Sequence, residues 1–312
     1  MNNNRVTMNA ITEKLLEIVA DYRGVFKGAY NIRQNGQCVG RQSSKNIIIE
    51  TKKGKPGLDV TILPGTKGET VYVPACVTEG GIDDLVYNDF YVGKDCDVKI
   101  VAGCGVHTDT DSAAKHNGIH YFEVGENSHV LYEEKHMGEG SGSGDRAINP
   151  VTKAVLKPNS CLEINSTQIS GVDKAHRKTY ATVEEGARLV VHERLYTEKE
   201  QKTETFFKVE LNGDGSSADV VSRSVARDRS YQSLDSVIIG NAACTGHSEC
   251  DSILDEEAIV DASPRLFAHN KDASMIHEAA IGKIAGEQLL KLRTLGLTEE
   301  EAEQEIIHGF LA

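Results

Sequence analysis

A turn residue followed by a short run of alternating apolar residues recurs from about residue 83 to residue 276. The turns are 32, 34, 27, 27 and 27 residues apart along the series Gly93, Gly125, Asn159, Gly186, Gly213 and Gly240. Self-similarity at a period of about 20–50 residues is typical of solenoids and propellers. Short strands joined by glycine-led corners, without helices between them, favour a β-solenoid. A β-sandwich also has short strands at even spacing and is the alternative.

The composition agrees with a core of thin apolar layers. Of the 312 residues, 39% are hydrophobic, only 5% are aromatic, and Trp is absent. The formal net charge of −13 argues against nucleic acid, whose phosphates need a basic surface, and against an anionic membrane surface. No apolar run approaches the ~20 residues that span a bilayer. The polar residues 1–5 do not resemble a signal peptide, so we expect a cytoplasmic protein.

Helical patterns occur at both ends of the chain. Residues 9–24 carry an apolar stripe at helical spacing, and Gly24 can end that helix. A second helix is predicted over about residues 279–295 with Gly296 as its stop, and Thr298 begins a capping box for a third. Open sheet edges invite aggregation, so we expect these helices to cover the ends of the solenoid. The predicted division is an N-terminal helix at 1–24, a β-solenoid core at 25–276 and C-terminal helices at 277–312.

The seven cysteines are scattered and include no CxxC pair, which argues against a disulfide framework or a zinc finger. Cys104 stands out because it lies between Gly103 and Gly105. Glycines on both sides permit unusual backbone angles and the close approach of another molecule. This setting would suit a nucleophilic thiol.

Three histidines near Cys104 could hold a metal ion. His116 and His120 are four residues apart, and His107 precedes them. Such ligands could form a mononuclear site of a zinc-dependent enzyme. Polar side chains at turns, next to one core thiol, are the alternative that the pattern favours.

The segment from His247 to Glu278 is the other concentration of soft ligands. Cys250 and His277 are 27 residues apart, one repeat length, so they are predicted to stack on neighbouring turns. Adjacent residues of a strand point to opposite faces, which predicts that His277 and Glu278 do not both face one ligand. Thiolate, imidazole and carboxylate together can hold iron or zinc.

No GxxxxGK[ST] motif and no GxSxG motif occurs in the sequence. We therefore do not expect the chain to hydrolyse ATP by itself or to carry a serine-based active site. A purely structural solenoid or binding module remains an alternative to a metal-dependent function.

Several segments resemble the SufB/SufD family, the scaffold components of the SUF iron–sulfur cluster assembly system. The C-terminal matches are His-Ser-Glu-Cys-Asp-Ser-Ile at 247–253, Ile-His-Glu-Ala-Ala-Ile-Gly-Lys-Ile-Ala-Gly-Glu-Gln-Leu at 276–289, Leu-Gly-Leu-Thr-Glu-Glu-Glu-Ala at 295–302 and Ile-Ile-His-Gly-Phe at 306–310. Earlier matches are Lys-Pro-Gly at 55–57, Leu-Val-Tyr-Asn-Asp-Phe at 85–90, Ala-Gly-Cys-Gly at 102–105 and Asn-Gly-Asp-Gly-Ser-Ser at 212–217. The resemblance covers nearly the whole chain.

The resemblance implies a mainly β fold: a right-handed parallel β-helix capped by an N-terminal helix and a C-terminal helical segment. It implies a scaffold rather than an enzyme, on which a transient [2Fe–2S] or [4Fe–4S] cluster is built. Cys250 and Glu278 match the cluster-building residues of SufB-like members, and His277 matches the residue implicated in SufD-like members. Cys104 matches the sulfur acceptor, although Ala102 replaces the family's Glu.

The resemblance also implies partners. The C-terminal helices would dock a SufC-type ABC ATPase, and a cysteine desulfurase or sulfurtransferase would supply sulfur. The chain carries Cys250, His277 and Glu278 together and is shorter than the usual bacterial SufB. Both features fit a homodimer better than a heterodimer with a paralogue.

Overall fold

The computed structural model describes residues 7–312, and residues 1–6, with the polar start of the sequence and the first part of the predicted segment 1–24, lie outside the described part. Two long sheets of mainly parallel strands face each other, and over most of its length the chain alternates between them. This arrangement is a parallel β-helix. The predicted β-solenoid is therefore confirmed, with one helix before it and two after it.

In chain order the elements are α1 Ala10–Val19, β1 Ala29–Gln34, β2 Gln37–Gln42, β3 Ile47–Thr51, β4 Gly57–Ile62, β5 Lys67–Tyr72, β6 Ala75–Val77, β7 Asp83–Val92, β8 Asp97–Val101, β9 Cys104–His107, β10 Ala114–Val124, β11 His129–Glu139, β12 Arg146–Ile148, β13 Val151–Leu156, β14 Cys161–Ser170, β15 Lys174–Val183, β16 Arg188–Thr197, β17 Lys202–Leu211, β18 Ser217–Ala226, β19 Tyr231–Gly240, β20 Thr245–Leu254, β21 Ile259–Ala268, β22 Ser274–Gly282, α2 Gly286–Thr294 and α3 Glu299–Leu311. Twelve strands form sheet A, in the order β22-β20-β18-β16-β14-β11-β8-β5-β1-β6-β9 with β2 beside β1. Ten strands form sheet B, in the order β21-β19-β17-β15-β12-β10-β7-β4-β3 with β13 beside β10 and β15.

The length of one turn changes along the solenoid. Asp97 pairs with His129, 32 residues later, and Cys161 pairs with Arg188, 27 residues later. Near the C-terminal end Thr245 pairs with Ser274, 29 residues later. The regular spacing of turn residues therefore gives the period of the fold to within two residues, but not the register of each strand.

One corner of the solenoid is a column of residues in the left-handed backbone conformation. Asp95, Asn127 and Asn159 have φ angles of 59°, 57° and 58°. Asn and Asp are, after Gly, the residues that tolerate this region best. The backbone N–H groups in this column donate to the next turn, as from Asp95 to the carbonyl of Glu126 at 2.9 Å. Stacked corners of this kind hold consecutive turns in parallel register.

The core consists of columns of apolar side chains, because in-register parallel pairing stacks each inward residue on its counterpart one strand along. Phe90 and Phe122 stack in this way, with ring centroids 4.7 Å apart. Full burial of one such side chain contributes about 1.5–3 kcal/mol. A representative column in sheet A contains Val98, Val130, Leu162 and Leu189.

Helix α1 begins at the predicted position and ends earlier than predicted. The side chain of Asn9 caps it by accepting a hydrogen bond of 2.7 Å from the N–H of Thr12. The helix ends at Val19 rather than near Gly24. Asp21 has a φ of 51°, a left-handed angle that a continuing α-helix cannot contain.

Gly103 and Gly105 allow α1 to lie directly against the solenoid. A Cβ at Gly103 would lie 1.9 Å from the carbonyl oxygen of Val19, and one at Gly105 would lie 2.9 Å from Cδ1 of Leu15. The sequence predicts that these glycines admit another molecule beside Cys104. The structure shows instead that they admit the chain's own N-terminal helix.

The last strand extends further than the sequence pattern predicts. β22 pairs with β20 up to Gly282, opposite Ile253. The helix predicted from about residue 279 is therefore wrong over its first residues, and α2 begins only at Gly286. The edge of β20 offers unpaired backbone groups, and pairing with them satisfies the N–H and C=O groups of these residues.

Helix α3 begins with the predicted capping box and folds back onto the outer face of sheet A. The Glu301 carboxylate accepts from the Thr298 N–H at 2.8 Å, and the Thr298 hydroxyl accepts from the Glu301 N–H. Ala302 is buried, α3 contacts β18, and Arg227 forms an ion pair of 2.9 Å with Glu303. Among residues 7–312, no helix combines the length and the apolar character needed to cross a membrane.

The C-terminal end of the solenoid is an open edge. β22 ends sheet A and β21 ends sheet B, and no further strand within residues 7–312 pairs with either. Ile259, Phe267 and Ile276 on these strands are 55%, 44% and 50% exposed. The predicted cover by the C-terminal helices is not formed over these strands, because α3 packs on β18 instead.

Replacing Gly103 with Ala should displace α1 from the solenoid. The new Cβ would overlap the Val19 carbonyl, and overpacking of this kind costs about 1–3 kcal/mol. We expect the free energy of unfolding, measured by urea denaturation, to fall by about that amount. Gly282→Ala is the matched control, since no atom lies within 4 Å of a Cβ at that position. Equal stability of the two variants would contradict the close contact.

Candidate functional site

The C-terminal candidate residues lie on β20 and β22, which are neighbouring strands of sheet A. Cys250 points into the solenoid and pairs with Ala279. His277 pairs with Ser248, which also points inward. The prediction that Cys250 and His277 stack directly is wrong by two residues, because paired residues here are 29 apart rather than 27. The two side chains are diagonal neighbours on the inner face.

Glu278 lies on the outer face of sheet A, because successive side chains of a strand point to opposite faces. It pairs with Glu249, and its Oε2 lies 3.6 Å from Nε2 of His247. His247, Glu249 and Glu278 each offer a ligand atom within 4.8 Å of the others. We call these three residues the outer group. The structure thus separates Glu278 from Cys250 and His277.

Asp219 orients the imidazole of the outer group. Its Oδ1 lies 2.8 Å from Nδ1 of His247, so Nδ1 donates the hydrogen bond, and Nε2, which faces the carboxylates, is the nitrogen that can bind a proton or a metal ion. The hydrogen bond to Asp219 raises the pKa of His247. Burial, with the charge of Asp251, raises the pKa of Glu249. Facing carboxylates on neighbouring strands repel each other, and a cation between them would relieve that repulsion.

Of the two candidates on the inner face, Cys250 is buried and His277 is half-buried. Burial raises the pKa of the Cys250 thiol to about 11. The thiol is therefore protonated at neutral pH, and metal binding would release its proton. Nδ1 of His277 is buried and has no hydrogen-bond partner within residues 7–312. An unsatisfied imidazole nitrogen on the face of Cys250 is a further ligand for a soft metal.

A column of polar side chains runs inside sheet A and ends at Cys250. Its members pair in sequence on five consecutive strands, and all are buried. Ser222 donates to Glu193 at 2.9 Å, and Ser166 donates to Glu134 at 3.5 Å. We call Glu134, Ser166, Glu193, Ser222 and Cys250 the polar column. It forms a continuous row of buried polar side chains along the inside of sheet A.

Arg177 reaches the polar column from the opposite sheet. Its Nε donates to Glu193 at 2.9 Å, its Nη1 donates to Nδ1 of His136 at 2.7 Å, and its Nη2 donates to Ser166. Burial alone would raise the pKa of Glu134, but His136 and Arg177 hold it well below its ordinary range. The guanidinium therefore supplies the counter-charge for two buried carboxylates.

Cys104 lies at the other end of the polar column. It pairs with His136, and Cys104, Glu134 and His136 offer ligand atoms within 4.8 Å of one another. Burial raises the pKa of the Cys104 thiol well above its ordinary value. A cavity of about 270 Å³ is lined by Cys104 and by the exposed Cys38 of the β1–β2 hairpin. This cavity connects the buried thiol with a surface of the molecule.

His107, His116 and His120 do not form a three-ligand group within the described part of the chain. Nε2 of His107 lies 3.0 Å from Oδ2 of Asp109, at the end of β9. His116 and His120 occupy inward positions of β10. The favoured alternative of polar side chains at turns is wrong for these two, because they belong to a strand of 11 residues. The zinc-enzyme hypothesis loses one of its three ligands.

Several residues of the site have no assigned role in the sequence analysis. They are polar residues at inward strand positions, or partners of Glu278 on the outer face: Glu134, His136, Arg177, His247 and Glu249. A signal for Glu134 was present in principle, because a polar residue at every inward position of one column is unusual for a core. Finding it requires the strand register, which the turn spacing does not give.

The fold and these side chains define a β-solenoid protein with two groups of potential metal ligands, one around Cys104 and one on the last strands of sheet A. The chain belongs to the SufBD family of iron–sulfur cluster assembly proteins. Its residues 88–310 match the core domain that is described as "SUF system FeS cluster assembly, SufBD core domain". The predicted resemblance to the SufB/SufD family is confirmed.

Three archaeal relatives are similar over most of the chain, and each is described as an iron–sulfur cluster assembly SufBD family protein. The protein of Methanocaldococcus jannaschii is 26% identical over 97% of this chain and 99% of its own length. That of Methanothermobacter thermautotrophicus is 28% identical over 87% of this chain and 66% of its own length. That of Archaeoglobus fulgidus is 26% identical over 82% and 68%. The chain thus spans just under two thirds of the Methanothermobacter relative.

Replacing Arg177 with Met should leave two buried carboxylates without their counter-charge. Removing one partner of a buried ion pair costs about 3–5 kcal/mol, and we expect a loss of that size in the free energy of unfolding by urea denaturation. The double variant with Glu193→Gln should recover part of the loss. Arg265→Met is the control, since it breaks an exposed pair with Asp235 worth about 0–1 kcal/mol. A loss as small as that of Arg265→Met would refute the role of Arg177.

Proposed function

We propose that the chain is a scaffold on which iron–sulfur clusters are assembled de novo in a SUF-type system. The observation that carries the proposal is the polar column, because it leads through a SufBD-type solenoid to Cys250 beside the open edge. Iron and sulfur would be accepted there and released as a transient [2Fe–2S] or [4Fe–4S] cluster. The chain would work in the cytoplasm as a scaffold rather than as an enzyme, with a partner supplying ATP hydrolysis.

Cys104 is the proposed sulfur acceptor. A cysteine desulfurase or sulfurtransferase would offer a persulfide, and the Cys104 thiolate would attack its terminal sulfur. A new S–S bond forms at Cys104, the donor's S–S bond breaks, and the departing donor sulfur takes up the proton that the Cys104 thiol gives up. His136 and Arg177 lie where their N–H groups would stabilise the persulfide anion. A small thiol would act as the two-electron reductant: it forms a disulfide with the inner sulfur of Cys104, and the outer sulfur leaves as hydrosulfide. The hydrosulfide would then travel along the polar column to Cys250.

The passage along the polar column is narrow. A cavity of about 20 Å³ is lined by Glu134, Ser166, Arg177 and Glu193, among others. A volume of that size holds about one water molecule. Sulfur would therefore move as a single small species, and the column would exclude larger thiols from Cys250.

Cluster ligands are proposed on both faces of the last strands. Cys250 and His277 would act from inside and Glu278 from outside, and this mixture of sulfur, nitrogen and oxygen ligands suits iron. His247 and Glu249 would help Glu278 to bind iron before it meets sulfur. Clusters are usually held by four protein ligands, and a two-fold pairing of chains would double the set.

The proposed partners follow from the exposed parts of the C-terminal end. The edges of β21 and β22 would pair with a second copy of the chain, with a heterodimer of a paralogue as the alternative. Helices α2 and α3 would dock a SufC-type ABC ATPase, and Leu290 and Leu295 in this region are 62% and 72% exposed. ATP-driven closure of two docked ATPases would change the spacing at the seam between the chains.

Cys250→Ala should lower the iron and sulfide retained after anaerobic reconstitution at least about tenfold, because a thiolate ligand is lost. Iron and acid-labile sulfide per chain, together with the visible absorbance, measure the effect. Cys244→Ala is the matched control, since Cys244 is also buried near the start of β20 but is not part of the polar column. A chain that is only a structural module would hold the same low amount in all three forms. Equal cluster content in wild type and Cys250→Ala would refute the assignment.

Leu290→Asp should weaken binding of a SufC-type ATPase by about 2 kcal/mol or more, roughly 30-fold, if this exposed side chain is an anchor of the interface. Truncation after Gly282 keeps β22, removes α2 and α3, and should abolish binding. Isothermal titration with the purified ATPase measures both. Val25→Asp, at an apolar residue that is 65% exposed near the other end of the chain, is the control. Undiminished binding by the truncated chain would exclude the helices as the dock.

A further inference from the structure

The cavity of about 270 Å³ inside the N-terminal half of the solenoid contains side chains that the proposed function does not use. His116 and His120 are on β10, and Asn88, on the neighbouring strand β7, pairs with His120. All three are buried and line the cavity. Buried polar groups normally find partners, so groups without one require an explanation.

A missing side chain leaves space between the two imidazoles. Gly118 occupies the inward position of β10 between His116 and His120. A Cβ at Gly118 would lie 3.3 Å from Nε2 of His116 and 3.1 Å from Nε2 of His120. Both Nε2 atoms therefore border the same small space, which any larger residue at position 118 would fill.

The Nδ1 partners set the tautomer of each ring. Nδ1 of His116 lies 3.2 Å from Oδ2 of Asp84, an ionised carboxylate that also pairs with Arg33 and can only accept. His116 therefore donates through Nδ1, and its Nε2 carries a lone pair. Orientation of a histidine by a carboxylate in this way is typical of metal-binding histidines.

His120 is oriented by a relay of two groups. Its Nδ1 lies 2.6 Å from the hydroxyl of Tyr132, and that hydroxyl donates to Glu134 at 3.0 Å. Because the single hydroxyl hydrogen is used for Glu134, the tyrosine oxygen accepts from His120. Nε2 of His120 therefore also carries a lone pair.

Three lone-pair acceptors thus border the cavity without accepting a hydrogen bond from the described chain. Neither Nε2 atom has a hydrogen-bond partner in the described chain, and Oδ1 of Asn88 has none either within residues 7–312. The two arginines that line the cavity are engaged elsewhere: Arg33 by Asp84, and Arg41 by Asn31 and Thr51. The set calls for an electron-pair acceptor.

We propose that His116 and His120 bind one divalent transition-metal ion in this cavity, with the Asn88 oxygen as a further ligand. Imidazole with oxygen ligands suits ions of borderline softness such as Zn²⁺, Fe²⁺ or Co²⁺. The site is distinct from the outer group and from Cys250. It does not depend on the proposed scaffold function, because none of His116, His120 and Asn88 has a part in that function, although Cys104 lines the same cavity.

Titration of the chelator-treated full chain with Co²⁺ under anaerobic conditions tests the site. We expect one ion per chain in the cavity, with visible absorption bands of an imidazole-ligated Co²⁺. His116→Gln and His120→Gln should each weaken this binding at least about tenfold. Gly118→Ala is the sharper variant, because it removes no ligand and no hydrogen bond but places a methyl group against both Nε2 atoms. It should weaken binding by a similar factor, with an unchanged circular dichroism spectrum.

Two controls separate this site from its surroundings. His129→Gln changes an exposed histidine on β11, which follows β10 in the chain but belongs to sheet A. This variant should leave the Co²⁺ titration unchanged. Glu278→Gln disables the outer group, so an ion that persists in this variant and in Cys250→Ala but is lost in His116→Gln belongs to the cavity rather than to the outer group or to the Cys104, Glu134 and His136 group. Equal Co²⁺ binding by wild type and Gly118→Ala, or no bound ion beyond that of the outer group, would overturn the proposal and leave ordered water as the occupant. Failure of cluster assembly in Cys250→Ala would not affect this result.

Discussion

Parallel, in-register pairing of strands is the constraint on which the rest of this structure depends. Each inward side chain lies directly on its counterpart in the next strand, so the interior resolves into columns of one chemical character. An apolar column needs no hydrogen-bond partner or counter-charge; an example is Val98, Val130, Leu162 and Leu189. The polar column needs partners at every step, and its carboxylates need a charge from the opposite sheet. Arg177 supplies that charge, which is why one side chain joins Glu193, Ser166 and His136.

The alternation of side chains along a strand divides the candidate ligands into two compartments. Cys250 is buried and the half-buried His277 lies on the same inner face, whereas Glu278 lies outside with His247 and Glu249. A buried thiol with a raised pKa is protected from oxidation and from stray metals. Exposed carboxylates exchange water and iron readily. In the proposed scaffold, sulfur would arrive inside and iron outside, and the two routes would meet only at the last strand, where the sheet stops.

The sequence predicts the period of this fold better than its register. Glycine and asparagine at even spacing indicate where the chain turns, for two reasons. Asn159 and Gly186 take left-handed backbone angles, whereas a Cβ at Gly93, Gly125 or Gly213 would collide with the backbone of the neighbouring turn. The actual turn lengths depart from the spacing of these residues by one or two residues, however, and two residues are enough to move His277 from Cys250 to Ser248. The same limit hides the pairing of His116 with Asp84 and the contact of Gly103 with α1, since both join residues that are distant in sequence. The family resemblance indicates Cys250, His277 and Glu278 as candidate cluster ligands. The face of the strand on which each side chain lies decides which of them can act together.

The open edge at β21 and β22 bears on the oligomeric state. Free strand edges with exposed apolar side chains promote aggregation, and soluble proteins usually cover, charge or shorten them. Here the C-terminal helices could have covered the edge, yet α3 folds back onto β18 and leaves Ile276 and Phe267 exposed. A self-complementary contact between two such edges would bury these residues and close the structure under two-fold symmetry. It would also bring together two copies of Cys250 from the inner faces and two outer groups from the outer faces. The two chains would then supply enough ligands for one cluster, which a single chain does not.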